Sequence, residues 1–124
     1  FFKQTTAYEI SLGLVGSEMC IRDRLPAHPL FNEPNTIDST VWEGWVQERG
    51  LYFLGERDPQ YMDLVAMEDP FEYNLGVKRG ALVEARVGQG RWLYVALGLW
   101  RQLPAGTEGA YRLLANLISL PDSP

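Results

Sequence analysis

From residue 25 onward the spacing of the apolar positions changes several times, and each change predicts an element. Pro26, Pro29 and Pro34 break any helix over 25–35 and predict a loop there. Val41, Trp42, Trp45 and Val46 then recur at i, i+1, i+4 and i+5, one apolar face of a helix over 39–49. Thr40 and Glu43 have capping-box spacing, although Asp38 or Ser39 serves equally well as the cap, and Gly50 is placed to end the helix. The aromatic run 51–54 reads as a buried strand, 55–59 as a turn, 61–67 as another strand and 68–80 as a charged surface loop. Two β-prone runs, 81–87 and 91–97, flank Gly88-Gln89-Gly90, whose glycines supply the positive φ of a tight hairpin. In the first run Leu82, Glu84 and Arg86 alternate with Val83, Ala85 and Val87. The second is apolar almost throughout, which predicts a strand covered on both faces, as in a layered α/β sheet. A closing helix over 107–119 carries the stripe Ala110, Leu113, Leu114, Leu117 and Ile118, with Thr107 as its N-cap and Pro121 beyond its end.

This order predicts an α/β fold. Its 124 residues suffice for one domain, and a chain 46% hydrophobic and 22% charged is neither collagen-like nor a disordered polymer. The formal charge of −5 argues against a nucleic-acid surface, which needs clustered cations. The longest apolar run, 92–100, is too short to span a bilayer, which takes about 20 residues. One Cys makes no internal disulfide.

The first 24 residues alter these totals. The string Phe1-Phe2-Lys3-Gln4-Thr5-Thr6-Ala7-Tyr8-Glu9-Ile10 resembles the translation of a sequencing-library adapter. Ser11, Leu12 and Gly13 fit its variable index, and 14–24, Leu-Val-Gly-Ser-Glu-Met-Cys-Ile-Arg-Asp-Arg, resembles a transposon end in the same frame. Thr5 departs from the expected Lys by one base. Residues 1–24 are thus expected to be a non-native, disordered segment, with the natural start missing, and 25–124 to be the natural part. The segment holds three cations and three anions, so it is neutral. Taken from the 11 and 16 of the whole chain, it leaves 8 basic and 13 acidic groups, and no Cys, in 25–124. Thiolate nucleophiles and thiolate zinc sites are excluded there.

Candidate chemistry is sparse. His28 is the only His. Ala27-His28-Pro29 is similar to the Ala-His-Pro-Asp-Asp zinc motif of the PIG-L (LmbE-like) deacetylases, but Leu30 and Phe31 stand where the two Asp would. The expectation is a loop histidine and no metal site. Ser39, Ser119 and Ser123 lack a nucleophile elbow, and Gly88-Gln89-Gly90 joins strands rather than opening a helix onto phosphate. Glu48, Glu56, Asp58, Asp63, Glu68, Asp69 and Glu72 read as a solvated acidic face, and a glycosidase-like pair among them stays open. Trp42, Trp45, Tyr52, Trp92 and Trp100 can stack on sugar rings, but helix and strand spacing assigns most of them to the core. Trp100 and Arg101, just past the last strand, are the candidate ligand-binding residues, because open α/β sheets bind ligands beyond the carboxyl ends of their strands.

Longer strings carry a family resemblance. They are His28-Pro29-Leu30, Pro34-Asn35, Trp45 to Phe53 (Trp-Val-Gln-Glu-Arg-Gly-Leu-Tyr-Phe), Gly88-Gln89-Gly90-Arg91-Trp92-Leu93-Tyr94, Arg101-Gln102-Leu103-Pro104-Ala105-Gly106 and 109–117. Together they resemble the C-terminal region of large bacterial PIG-L deacetylases, which is similar to the back half of ThuA-like, class I glutamine-amidotransferase-like domains. The resemblance implies the C-terminal fragment of a flavodoxin-like layered sheet with flanking helices, closed by the hairpin and helix. It implies a non-catalytic accessory module whose partner is an upstream deacetylase domain of the same parent chain, with zinc held only there. The amidotransferase Cys and His-x-Glu pair have no counterpart after His28. Two alternatives remain open, a ThuA-like sugar-binding or sugar-active domain and a purely structural interface domain. The resemblance also suggests export to the periplasm or the cell exterior.

Overall fold

The computed structural model describes residues 20–47, 52–68 and 76–121. Within these it is a mixed α/β structure of small antiparallel sheets and two helices. The strands are β1 (Cys20–Arg24), β2 (Met62–Asp63), β3 (Val65–Glu68), β4 (Val77–Arg79), β5 (Leu82–Val87) and β6 (Gly90–Val95). The helices are α1 (Leu99–Gln102) and α2 (Glu108–Ile118), with single 3-10 turns at Pro29–Phe31 and Ser39–Trp42. One sheet has the order β1-β3-β4 and the other β2-β5-β6. The chain passes between them at Leu64, whose N–H donates to the Leu82 carbonyl at 2.8 Å.

The hairpin is the most regular element, and it lies where the glycines predict it. Six residue pairs run from Leu82↔Val95 to Val87↔Gly90. Gly88, with φ +60°, supplies the left-handed turn residue, whereas Gly90 already belongs to β6. Leu82 to Ala85 are all buried, Glu84 included. The apolar run of β6 departs from expectation. It is an edge strand, half-buried along most of its length, with Trp92 exposed, and is not covered on both faces.

Other expectations also need correction. The helix over 39–49 is only the 3-10 turn Ser39–Trp42. Asp38 caps it, accepting from the Thr40 N–H at 3.0 Å. Gly44 (φ +76°) and Gln47 (φ +50°) then leave helical geometry. The Trp45 indole N–H donates to the Val41 carbonyl at 2.7 Å, so the indole caps the turn and is buried against the core. Val46 from the same expected stripe is exposed. Gly50 and Leu51 lie outside the described residues, and 52–54 do not form a strand. Tyr52 is exposed, and Leu54 bonds through its N–H to the Gly80 carbonyl at 3.0 Å. Gly80 adopts φ +101°, and a Cβ there would lie 2.2 Å from the Leu54 carbonyl oxygen, so the close approach needs glycine. The strand over 61–67 is divided between two sheets as β2 and β3, and the loop over 68–80 contains β4. Of the segment 1–24, expected to be disordered, residues 1–19 lie outside the described residues and Cys20–Arg24 is a strand paired with β3. β3 is the central strand of its sheet, and β1 covers the side that β4 leaves free, through backbone bonds that do not require a particular side chain.

The core gathers Leu30, Phe31, Ile37, Val41 and Trp45 from the loop, Leu64 from between the sheets, Leu82 from β5, and Ala110 and Leu113 from α2. Ile118, expected on the apolar stripe of α2, is exposed, while Leu117 and Leu120 on either side of it pack against the core. The loop over 25–47 has no strand partner. Its turns bond within the loop, and two buried amides supply long-range partners. Asn116 on α2 accepts from the Asn35 N–H at 3.0 Å and donates to the carbonyls of Leu30 and Asn35 at 2.7 and 2.8 Å. Gln102 on α1 accepts from the Val46 N–H and donates to the Val46 carbonyl, both at 2.8 Å. Thr107 holds the N-cap position of α2, yet its hydroxyl donates to Gln102 Oε1 at 3.1 Å and fixes that amide.

Candidate functional site

The two sequence candidates lie together on the short helix after the hairpin. Trp100 is 72% exposed, a few residues past the end of β6. The Arg101 guanidinium stands 4.5 Å from the Trp100 ring centroid, in cation–π range. Its Nη1 also donates to the Gln47 carbonyl at 2.7 Å. An indole held beside a fixed cation, with most of its surface in water, can stack on the apolar face of a sugar ring while the guanidinium bonds a hydroxyl. Of the other aromatic candidates, Trp45 is buried, Trp42 is half-buried, and Trp92 packs edge-on to Tyr61 at 5.9 Å.

A second constellation forms where the loop meets the hairpin, and it involves two residues that sequence reasoning missed. His28, Glu84 and Arg91 converge, with side chains only 8%, 6% and 6% exposed. His28 Nε2 lies 2.6 Å from Glu84 Oε1, and Arg91 Nη1 pairs with Glu84 Oε2. His28 Nδ1 accepts the Leu30 N–H at 3.1 Å, which caps the turn Pro29–Phe31. An Nδ1 that accepts carries no proton, so the ring proton is on Nε2 and is donated to Glu84. Both ring nitrogens are therefore occupied within the fold. Glu84 and Arg91 were legible once the register was known. Val87↔Gly90 places Glu84 opposite Leu93, so Arg91 is its diagonal neighbour on the same face.

Arg91 completes the picture. Its Nε donates to the Pro121 carbonyl at 3.0 Å, while its Nη2 is buried without a hydrogen-bond partner. Beside it is a cavity of about 260 Å³ lined by His28, Pro29, Met62, Glu84, Ala85, Arg86 and Arg91.

Among the described residues no group of three His, Cys, Asp or Glu side chains is placed to hold a metal ion. The committed nitrogens of His28 likewise do not fit a zinc ligand. Glu48, Asp69 and Glu72 lie outside the described residues. Asp63 pairs with Arg57, and Asp58 accepts from the Gln60 N–H at 3.1 Å. The Thr40 hydroxyl and N–H both donate to Asp38 and hold its carboxyl below the usual value. No helix among the described residues is long and apolar enough to cross a membrane. No family model, curated protein or solved structure matches the chain.

Proposed function

We propose that residues 25–124 are a non-catalytic, amidotransferase-like accessory module from the C-terminus of a PIG-L type deacetylase, the back half of a flavodoxin-like domain. In this reading residues 1–24 are adapter-derived. The observation that supports it is the state of His28. The chain's only imidazole spends Nδ1 on a backbone N–H and Nε2 on a buried carboxylate, which leaves no lone pair to take a substrate proton or bind zinc. Zinc and deacetylation of N-acetylated sugars would belong to the upstream domain. The test is to recover the uninterrupted reading frame by a different library method and to assay the 124-residue chain with zinc on N-acetylglucosaminyl substrates and on glutamine. An Ala-His-Pro-Asp-Asp motif upstream and no turnover by the chain are expected. Turnover by the chain, or a frame that continues residues 1–24 upstream without that motif, overturns the reading.

A second reading, a ThuA-like sugar-binding domain, draws on the exposed Trp100 and the Arg101 held beside it. Glycan-array binding lost in both Trp100→Ala and Arg101→Ala favours it. A flat array removes it.

A further inference from the structure

We propose that β6 is an interface strand, and that a second copy of this chain pairs with it antiparallel about Leu93. The hairpin register fixes which backbone groups are left open. Val87 and Gly90 close a two-residue loop as a hydrogen-bonded pair, and every second pair of the ladder bonds, so Trp92 and Tyr94 turn their backbone groups to β5. The Ala96 N–H, which donates to the Ala81 carbonyl at 2.8 Å, continues the same alternation. The N–H and C=O groups of Arg91, Leu93 and Val95 therefore point away from β5. β6 is the outer strand of its sheet, and none of these groups meets a partner among the described residues.

The other edges of the two sheets are guarded and this one is not. β2 is two residues long, β1 breaks register between Ile21 and Asp23, and β4 carries Lys78 and Arg79. Short length, irregularity and surface cations are the means by which an edge refuses a further strand. β6 has six residues without a proline, a lysine or a bulge. Its single charge, Arg91, is buried and already paired with Glu84.

The strand's own sequence selects the occupant. With a two-fold axis at Leu93, Arg91 faces the partner's Val95, Leu93 faces the partner's Leu93, and Trp92 faces the partner's Tyr94. Every open group then bonds, and the aromatics fall at the non-hydrogen-bonded sites, where facing side chains lie closest. Trp92 is 41% exposed and so within reach of that pairing. No like charges meet. Any shift of the axis leaves open groups without a partner in the facing strand, and a shift to Arg91 also sets two guanidiniums opposite each other. The product is an isologous dimer whose sheet runs through three strands of each copy and ends at the short β2 on both sides. It does not depend on the deacetylase or the carbohydrate reading.

The test is sedimentation velocity and NMR on the 124-residue chain over a concentration series up to about 1 mM, the weak end of specific association. The sedimenting mass should double as concentration rises. Amide exchange at Arg91, Leu93 and Val95 should slow about twofold at the top of the series for a Kd of about 1 mM, and more for a tighter pair. Exchange at Trp92 and Tyr94, bonded to β5 throughout, should not change. In a mixture of isotope-labelled and unlabelled chains, the Trp92 Hα should show a nuclear Overhauser contact to the partner's Tyr94 Hα. Trp92→Lys sets a cation at that exposed position and is expected to abolish the doubling of mass with the fold retained by circular dichroism. A chain monomeric up to about 1 mM, exchange at the three open residues that ignores concentration, a contact in another register, or undiminished pairing by Trp92→Lys overturns the proposal. Should Trp92→Lys unfold the chain, the exchange pattern and the contact in the unsubstituted chain still decide it.

Discussion

The loop over 25–47 and the hairpin β5–β6 hold their backbones in opposite ways. The hairpin joins its two strands by a ladder between neighbours in sequence. Any side chain that tolerates a strand leaves that ladder intact. The loop has no ladder; beyond the hydrogen bonds of its own turns it is tied down by Asn116 and Gln102, side chains 81 and 56 residues away from the groups they bond. In one region a continuous ladder carries the pairing, and in the other isolated turns are joined to the rest of the fold by two distant amides. Single substitutions should therefore be far more damaging in the second.

Asn116→Leu should show the largest effect. It keeps the branched shape, though bulkier, and leaves Asn35 N–H and the Leu30 and Asn35 carbonyls without their partner, a loss of about 3–4 kcal/mol in urea unfolding. Gly109→Ala comes next. A Cβ there would stand 1.7 Å from the Val41 carbonyl oxygen, so the loop must move off α2, at about 2–3 kcal/mol net of the better helix propensity of Ala. In the hairpin, Gly88→Ala meets no atom within 4 Å and bears only the left-handed φ, about 1 kcal/mol. A loss as large as that of Asn116→Leu would erase the contrast. The smallest effect is at Asp38, on the surface of the loop. Its carboxyl titrates lower folded than unfolded, so its contribution is present above the unfolded value and fades as pH falls through the folded one. Asp38→Asn should keep the cap and flatten that shallow acid step in a pH series of unfolding curves.

The same contrast explains what the sequence made legible. A hairpin is local, so two β-prone runs and a glycine turn suffice to place it, and α2 is placed equally well by its stripe. The spacing of Val41, Trp42, Trp45 and Val46 misled because no periodicity records that Gly44 turns left-handed and that Trp45 bonds back to Val41. Trp100 was legible as exposed because it lies a few residues past the last strand. His28 was visible as a residue but not in its role, since Glu84, which takes its ring proton, is 56 residues away. Asn116 and Gln102 gave no signal, because a polar residue on a helix face reads as solvated until a distant loop is known to cover it.

His28 joins the two regions, and its protonation pattern bears most directly on the claim that the imidazole is built into the fold rather than free for chemistry. As the only His, it gives one unambiguous set of ring signals in a long-range proton–nitrogen correlation spectrum. The expected result is a ring protonated on Nε2 alone, with Nδ1 coupled to the Leu30 N–H. A ring protonated on Nδ1, or one that exchanges freely between tautomers, would contradict the account.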